Sequence, residues 1–169
     1  MSLIKPLALA SLALLALAGC ATTGESTPFE KTGEFIYTRG SSASFSDDRV
    51  VSTNGNFSKR SDGSWAGMLD GQLYNLKVTE NRIRGTNFNF TWENVDRGFR
   101  GQGIIQGQMI KVDVTASQLV VRAFNKTISL PRTSESTFGS GPSSVILEGE
   151  ALQLPMPQSV LALLAMARG

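Results

Sequence analysis

Two stretches of this chain, GMLDGQLYNLKVT from Gly67 to Thr79 and GIIQGQMIKVDVT from Gly103 to Thr115, carry one pattern at an offset of 36 residues. They share Gly67/Gly103, Gly71/Gly107, Gln72/Gln108, Val78/Val114 and Thr79/Thr115. In each, a two-residue step centred on Asp70-Gly71 or Gln106-Gly107 separates two apolar runs. Glycine takes positive φ without steric cost, so Asp-Gly predicts a tight hairpin turn. Past the turn, Tyr74, Leu76 and Val78 alternate with Asn75, Lys77 and Thr79, and Ile110, Val112 and Val114 alternate with Lys111, Asp113 and Thr115. A period of two with one apolar face predicts half-buried antiparallel strands. The two copies are either a duplication or two hairpins of like composition. VILEGEALQL, Val145 to Leu154, is read as a looser third copy turning at Glu148-Gly149.

The same alternation recurs at Phe88, Phe90 and Trp92 and at Leu119, Val121 and Ala123. Glu34–Arg39, Arg49–Ser58 and Thr127–Leu130 are further strand candidates, with Asn54-Gly55 as another turn. Seven to ten short strands at this spacing predict a mainly β fold, an antiparallel β-sandwich or a small β-barrel. The segment 132–144, rich in Ser and Gly, is read as a loop. Helical patterning is confined to the end, where Pro157 opens an apolar run, Val160 to Ala167. That run is apolar nearly all round and too short to be stable alone, so it predicts a helix docked on the β domain or plugging a barrel mouth. A partner-binding or membrane-contacting tail is the alternative.

The N-terminus reads MSLIKPLALASLALLALAGC. Lys5 precedes an apolar run from Leu7 to Ala18 that rises roughly 18 Å as a helix, short of the roughly 30 Å hydrocarbon layer. A charged start, a short apolar core and small residues before a cleavage point describe a secretory signal peptide. Leu17-Ala18-Gly19-Cys20 resembles the lipobox of bacterial lipoproteins. The resemblance implies diacylglycerol on the Cys20 thiol, a mature chain beginning at Cys20, an acylated amino group, and a membrane partner through the lipid anchor. Ala21, rather than Asp, implies sorting to the outer membrane, on its periplasmic or its surface face. Several buried acyl chains hold where one does not. The expected organisation is signal peptide 1–19, lipidated tether 20–32, β domain 33–156 and C-terminal helix 157–169.

Cys20 is the sole cysteine and the chain has no histidine. Ser-His-Asp and Cys-His catalysis and ordinary zinc sites are therefore excluded. With 16 basic and 14 acidic side chains and no block of like charge, the sequence has no nucleic-acid footprint. The carboxylates Asp47, Asp48, Asp70, Glu80, Glu93 and Asp96 have no spacing that selects a glycosidase pair. The expectation is a non-catalytic module without cofactor or metal. The candidate binding residues are Trp65, Tyr74, Arg82, Arg84 and Trp92, since aromatic rings beside arginine anchor partners or stack on sugars. A binding role in an envelope or assembly complex, with a protein partner, comes first. A lipocalin-like carrier of a hydrophobic ligand, its cavity lined by Tyr74, Leu76, Ile110 and Val112, comes second. A polysaccharide-acting enzyme comes last, and a glycan or lipid ligand is compatible with the binding readings.

Overall fold

A computed structural model describes residues 29–123 and 125–167, so the expected signal peptide, Cys20 and the start of the expected tether lie outside the described residues. Fourteen antiparallel strands form one sheet. The first six are β1 (Gly33–Tyr37), β2 (Ser41–Phe45), β3 (Arg49–Ser52), β4 (Gly55–Lys59), β5 (Trp65–Leu69) and β6 (Gln72–Thr79). They continue as β7 (Arg82–Gly85), β8 (Phe88–Val95), β9 (Gly98–Ile105) and β10 (Gln108–Val114). The last four are β11 (Gln118–Ala123), β12 (Lys126–Pro131), β13 (Thr137–Ser140) and β14 (Ser143–Gly149). A 3₁₀ turn, Glu150–Gln153, and the helix α1 (Pro157–Met166) follow.

Each strand from β1 to β12 pairs with its neighbour in sequence, while β14 pairs with β1 and carries β13 at its far side. The sheet curls so that its two ends, β12 and β13, meet at the bridge Arg132–Phe138, giving a nearly closed barrel. Because the strands alternate in direction, the connections at 38–40, 53–54, 70–71, 86–87, 106–107 and 141–142 share one rim, called here the upper rim. Those at 46–48, 60–64, 80–81, 96–97, 115–117 and 132–136 share the lower rim, where the chain also enters β1.

Inward positions hold the core. Phe35, Phe45, Phe57, Phe88, Phe90, Phe99 and Phe138 are all buried, as are Trp65, Tyr74 and Trp92. Rings of this size fit because glycine faces them. Gly67 lies between Phe57 and Tyr74, and Gly103 between Phe90 and Ile110. A Cβ on Gly67 would stand 1.9 Å from the Asn56 carbonyl oxygen, and one on Gly103 2.1 Å from that of Asn89. The glycine that opens each copy of the repeated motif thus faces an Asn-Phe dipeptide on the preceding strand.

Both motif turns have positive φ at their two central residues, 48° and 74° at Asp70-Gly71 and 54° and 77° at Gln106-Gly107, the requirement of a type I′ hairpin. Glutamine seldom adopts this conformation. Here its side chain is held, Nε2 donating to Tyr74 Oη at 2.6 Å and to Gln72 Oε1 at 2.9 Å. The third copy is not a hairpin: Gly149 (φ 59°) ends β14 and turns the chain into the 3₁₀ segment. No second strand follows because residues 150–153 fold under the lower rim, Glu150 N donating to the Thr32 carbonyl.

The strand count also exceeds the expected seven to ten. Ser41–Phe45 (SSASF) is a strand although serines blur its alternation. The segment 132–144 holds β13 within what reads as a loop. The β3–β4 turn falls at Thr53-Asn54, one residue before the Asn-Gly step.

Helix α1 runs inside the barrel, against β1, β2 and β3 and across to β7. Every residue from Ser159 to Met166 is buried, which explains a helix apolar on all faces. The buried Ser159 hydroxyl donates to the Met156 carbonyl at 2.7 Å and accepts from the Met156 N–H at 3.0 Å, so its burial leaves nothing unpaired.

At the lower end of the β12–β13 seam, the Arg132 guanidinium lies 4.3 Å from the Phe138 ring centroid and donates to the Glu135 and Thr115 carbonyls. Burial, and then the neighbouring Arg97, lower its pKa from the usual arginine value, with Glu135 opposing. Arg132→Ala is expected to cost about 1–2 kcal/mol, the loss of a charged hydrogen-bond set and a cation–π contact. The measurement is urea unfolding with hydrogen exchange. Faster exchange should be confined to β12 and β13, and a uniform increase across all strands would contradict the local role.

Candidate ligand cavity at the open seam

Beyond the Arg132–Phe138 bridge the two end strands part. β13 is only four residues long, and Gly139 (φ 83°) and Gly141 (φ 59°) turn it away toward β14. β12 continues alone to the upper rim, paired with β11 on one side only. The wedge between β12 and the β14–β1–β2 wall is partly filled by the C-terminal end of α1. It leaves a cavity of about 630 Å³ open toward the upper rim.

The inner wall of the cavity is apolar: Leu119 and Val121 from β11, Ile128 from β12, Val145 from β14, and Leu163 and Met166 from α1. The mouth is polar and basic, with Arg39 from the β1–β2 turn, Lys126 at the start of β12, and Thr53 and Asn54 from the β3–β4 turn. No carboxylate lines it among the described residues, and neither cation takes part in a described ion pair. Asn54 Nδ2 is buried without a hydrogen-bond partner; among the described residues only the Trp92 indole N–H shares that condition. A buried donor without an acceptor is costly.

The sequence contains one sign of this site. In β12, Lys126, Ile128 and Leu130 occupy the inward phase, Lys126 opposite buried Ala123 and Ile128 opposite Val121. A lysine in the apolar phase of a strand marks a mouth, and that signal is readable once the strand is known to close a barrel. The cavity is elsewhere than expected. Tyr74, Leu76, Ile110 and Val112 are buried in the packed core and do not line it.

Of the sequence candidates, Trp65, Tyr74 and Trp92 point inward and are buried, so their rings are not offered to a surface partner. Tyr74 packs edge-on against Phe88, with centroids 5.6 Å apart. Arg82 and Arg84 are exposed on the outer wall, and Arg82 donates through Nε and Nη2 to Asn89 Oδ1 at 3.2 and 3.1 Å. Cys20 lies outside the described residues.

Among the carboxylates, Asp70 sits at the upper rim and Asp47, Asp48, Glu80 and Asp96 at the lower. Glu93 shares a shallow outer groove with Asp113, Arg100 standing between them in register, the arrangement of a cross-strand charge ladder. No cluster of three or more His, Cys, Asp or Glu with metal-holding geometry occurs among the described residues. No family model, curated protein or solved structure matches this chain.

Proposed function

We propose that the chain is a lipid-anchored outer-membrane lipoprotein whose β domain is a non-catalytic binder of a single-chain amphiphile with an anionic head. The observation that carries this reading is the seam cavity. Its volume lies within the range of small-molecule sites, about 300–1,000 Å³. Its apolar inner wall suits an acyl chain. Arg39 and Lys126 at the mouth suit a carboxylate or phosphate. Ligand binding ranks ahead of a protein-partner role because the volume, the apolar lining and the two basic groups at the mouth favour it. The lipobox supports the anchor, which leaves the barrel free to exchange ligand at the envelope.

The test is titration with 11-dansylaminoundecanoic acid, a fluorescent fatty acid, and with its methyl ester. Val121→Phe, which places a ring in the cavity, is expected to weaken both probes at least tenfold while the thermal midpoint changes little. Arg39→Glu with Lys126→Glu is expected to weaken the acid about tenfold and the ester hardly at all, since only the acid has the charge to lose. Wild-type protein that binds neither probe, or a Val121→Phe variant that binds both as well as wild type, would overturn the reading.

A further inference from the structure

The two copies of the repeated motif agree in one respect that neither turn geometry nor core packing requires. The outward-facing pair next to each turn is apolar in both: Met68 opposite Leu73, and Ile104 opposite Met109. All four are exposed, Leu73 by 81% and Met109 by 59%. Four of the five large apolar side chains exposed among the described residues are thus these four. Both pairs stand at the upper rim, to which the cavity also opens. The hydrogen bonds from Gln106 to Gln72 and Tyr74 tie the two tips together.

The outer wall below the tips is layered by charge. One register row runs Lys77–Arg84–Asn89–Ile104–Met109 across β6 to β10. The next runs Thr79–Arg82–Thr91–Gln102–Lys111–Arg122 across β6 to β11. These two rows hold five cations and no carboxylate. Carboxylates enter only in the third row, where Glu93 and Asp113 flank Arg100. At the tips themselves the charged group is Asp70, in the β5–β6 turn.

We propose that this rim docks on an anionic lipid bilayer, the four apolar side chains entering the headgroup layer and Lys77, Arg82, Arg84, Lys111 and Arg122 meeting lipid phosphates. Exposed apolar groups backed by two rows of cations without a carboxylate, with Asp70 the acid at the tips, match a surface that is apolar inside and negative at its face. A nucleic acid would use the cations and leave the apolar tips unexplained. The chain enters β1 at the opposite rim. Even so, with Phe29 against Arg49 and Lys31 paired with Glu34 at that rim, the nine residues from 20 to 28, at about 3.3 Å per residue, reach about 30 Å against about 26 Å for an eight-residue strand. A lipid at Cys20 therefore lets the upper rim turn to the membrane that holds the anchor. The docking residues are distinct from the cavity lining.

The experiment uses the mature protein, with the mass of its N-terminal peptide reporting the state of Cys20. A nitrobenzoxadiazole label is placed at Leu73→Cys, Met109→Cys or, as a control at the lower rim, Asp62→Cys. On phosphatidylglycerol vesicles, labels at 73 and 109 are expected to brighten at least about twofold and to be quenched by spin-labelled lipid, while the label at 62 stays water-like. Exchanging the lipid for phosphatidylcholine, or changing Arg84 and Lys111 to Glu, should remove most of the increase. Dansyl-acid binding should persist in the Glu variants, which separates failure of docking from failure of the cavity. Labels at 73 and 109 that stay as water-like as the label at 62 overturn the proposal. Brightening that needs no vesicles and grows with protein concentration also overturns it, because a second copy then covers the tips.

Discussion

Gly67→Ala is expected to destabilise the protein by about 3 kcal/mol or more, although it adds one methyl group. Glycine-to-alanine changes at permissive sites usually stabilise by about 0.4–1 kcal/mol, because the unfolded chain loses freedom. Here the new Cβ would lie 1.9 Å from the Asn56 carbonyl oxygen and 2.6 Å from the Phe57 Cα. Both are backbone atoms inside the β4–β5 ladder, so no side-chain rotation relieves the contact. The strands must part, and Phe57 and Tyr74, buried on either side, must move with them. Gly71→Ala is the informative contrast, since nothing lies within 4 Å of its Cβ position and only the φ of 74° resists substitution. Its expected cost is about 1 kcal/mol. Urea unfolding of both variants decides the matter. Equal losses would mean that the close approach of β4 and β5 is not a determinant of the barrel.

That contrast also marks how far the sequence could be read. The alternation of Tyr74, Leu76 and Val78 against Asn75, Lys77 and Thr79 is a local property, and it led directly to β6 and to the inward face. The Asp70-Gly71 turn was legible for the same reason. The pairing of Gly67 with Phe57 was not, because it belongs to two strands and their register. Serines in β2 conceal a strand, since Ser41 and Ser44 are buried without being apolar. The cavity was the least legible feature. It arises where β13 stops after four residues while β12 continues, and the segments that frame it lie far apart in the sequence. Trp65, Tyr74 and Trp92 are candidates by residue type, yet the period-two runs that contain Tyr74 and Trp92 already group those two with the core residues. Arg82 and Arg84 drew attention too, and their significance depends on row membership that only the full register supplies.

Removing residues 156–169 is expected to abolish cooperative folding. A ten-residue helix contributes little by itself, but this one occupies the lumen. Val160, Leu161, Leu163, Leu164 and Met166 are all buried, with Ala162 and Ala165 filling the gaps between them. Burial of a large apolar side chain is worth about 1.5–3 kcal/mol, so five account for roughly 10 kcal/mol, comparable with the whole net stability of a domain. The barrel wall also loses its partner, because Phe35, Ala43, Phe45 and Val50 on β1 to β3 face the volume the helix fills. The truncated chain should give no sigmoidal melt and should bind a hydrophobic dye. Leu161→Asp, which keeps the length and introduces a charge at a position with no exposed surface, should fail in the same way. Leu161→Ala should remain folded and lose about 2–5 kcal/mol. This series separates a helix that forms the core from one that closes a mouth. If the truncated barrel melted cooperatively near the full-length midpoint, the lumen would have to be filled by the walls alone.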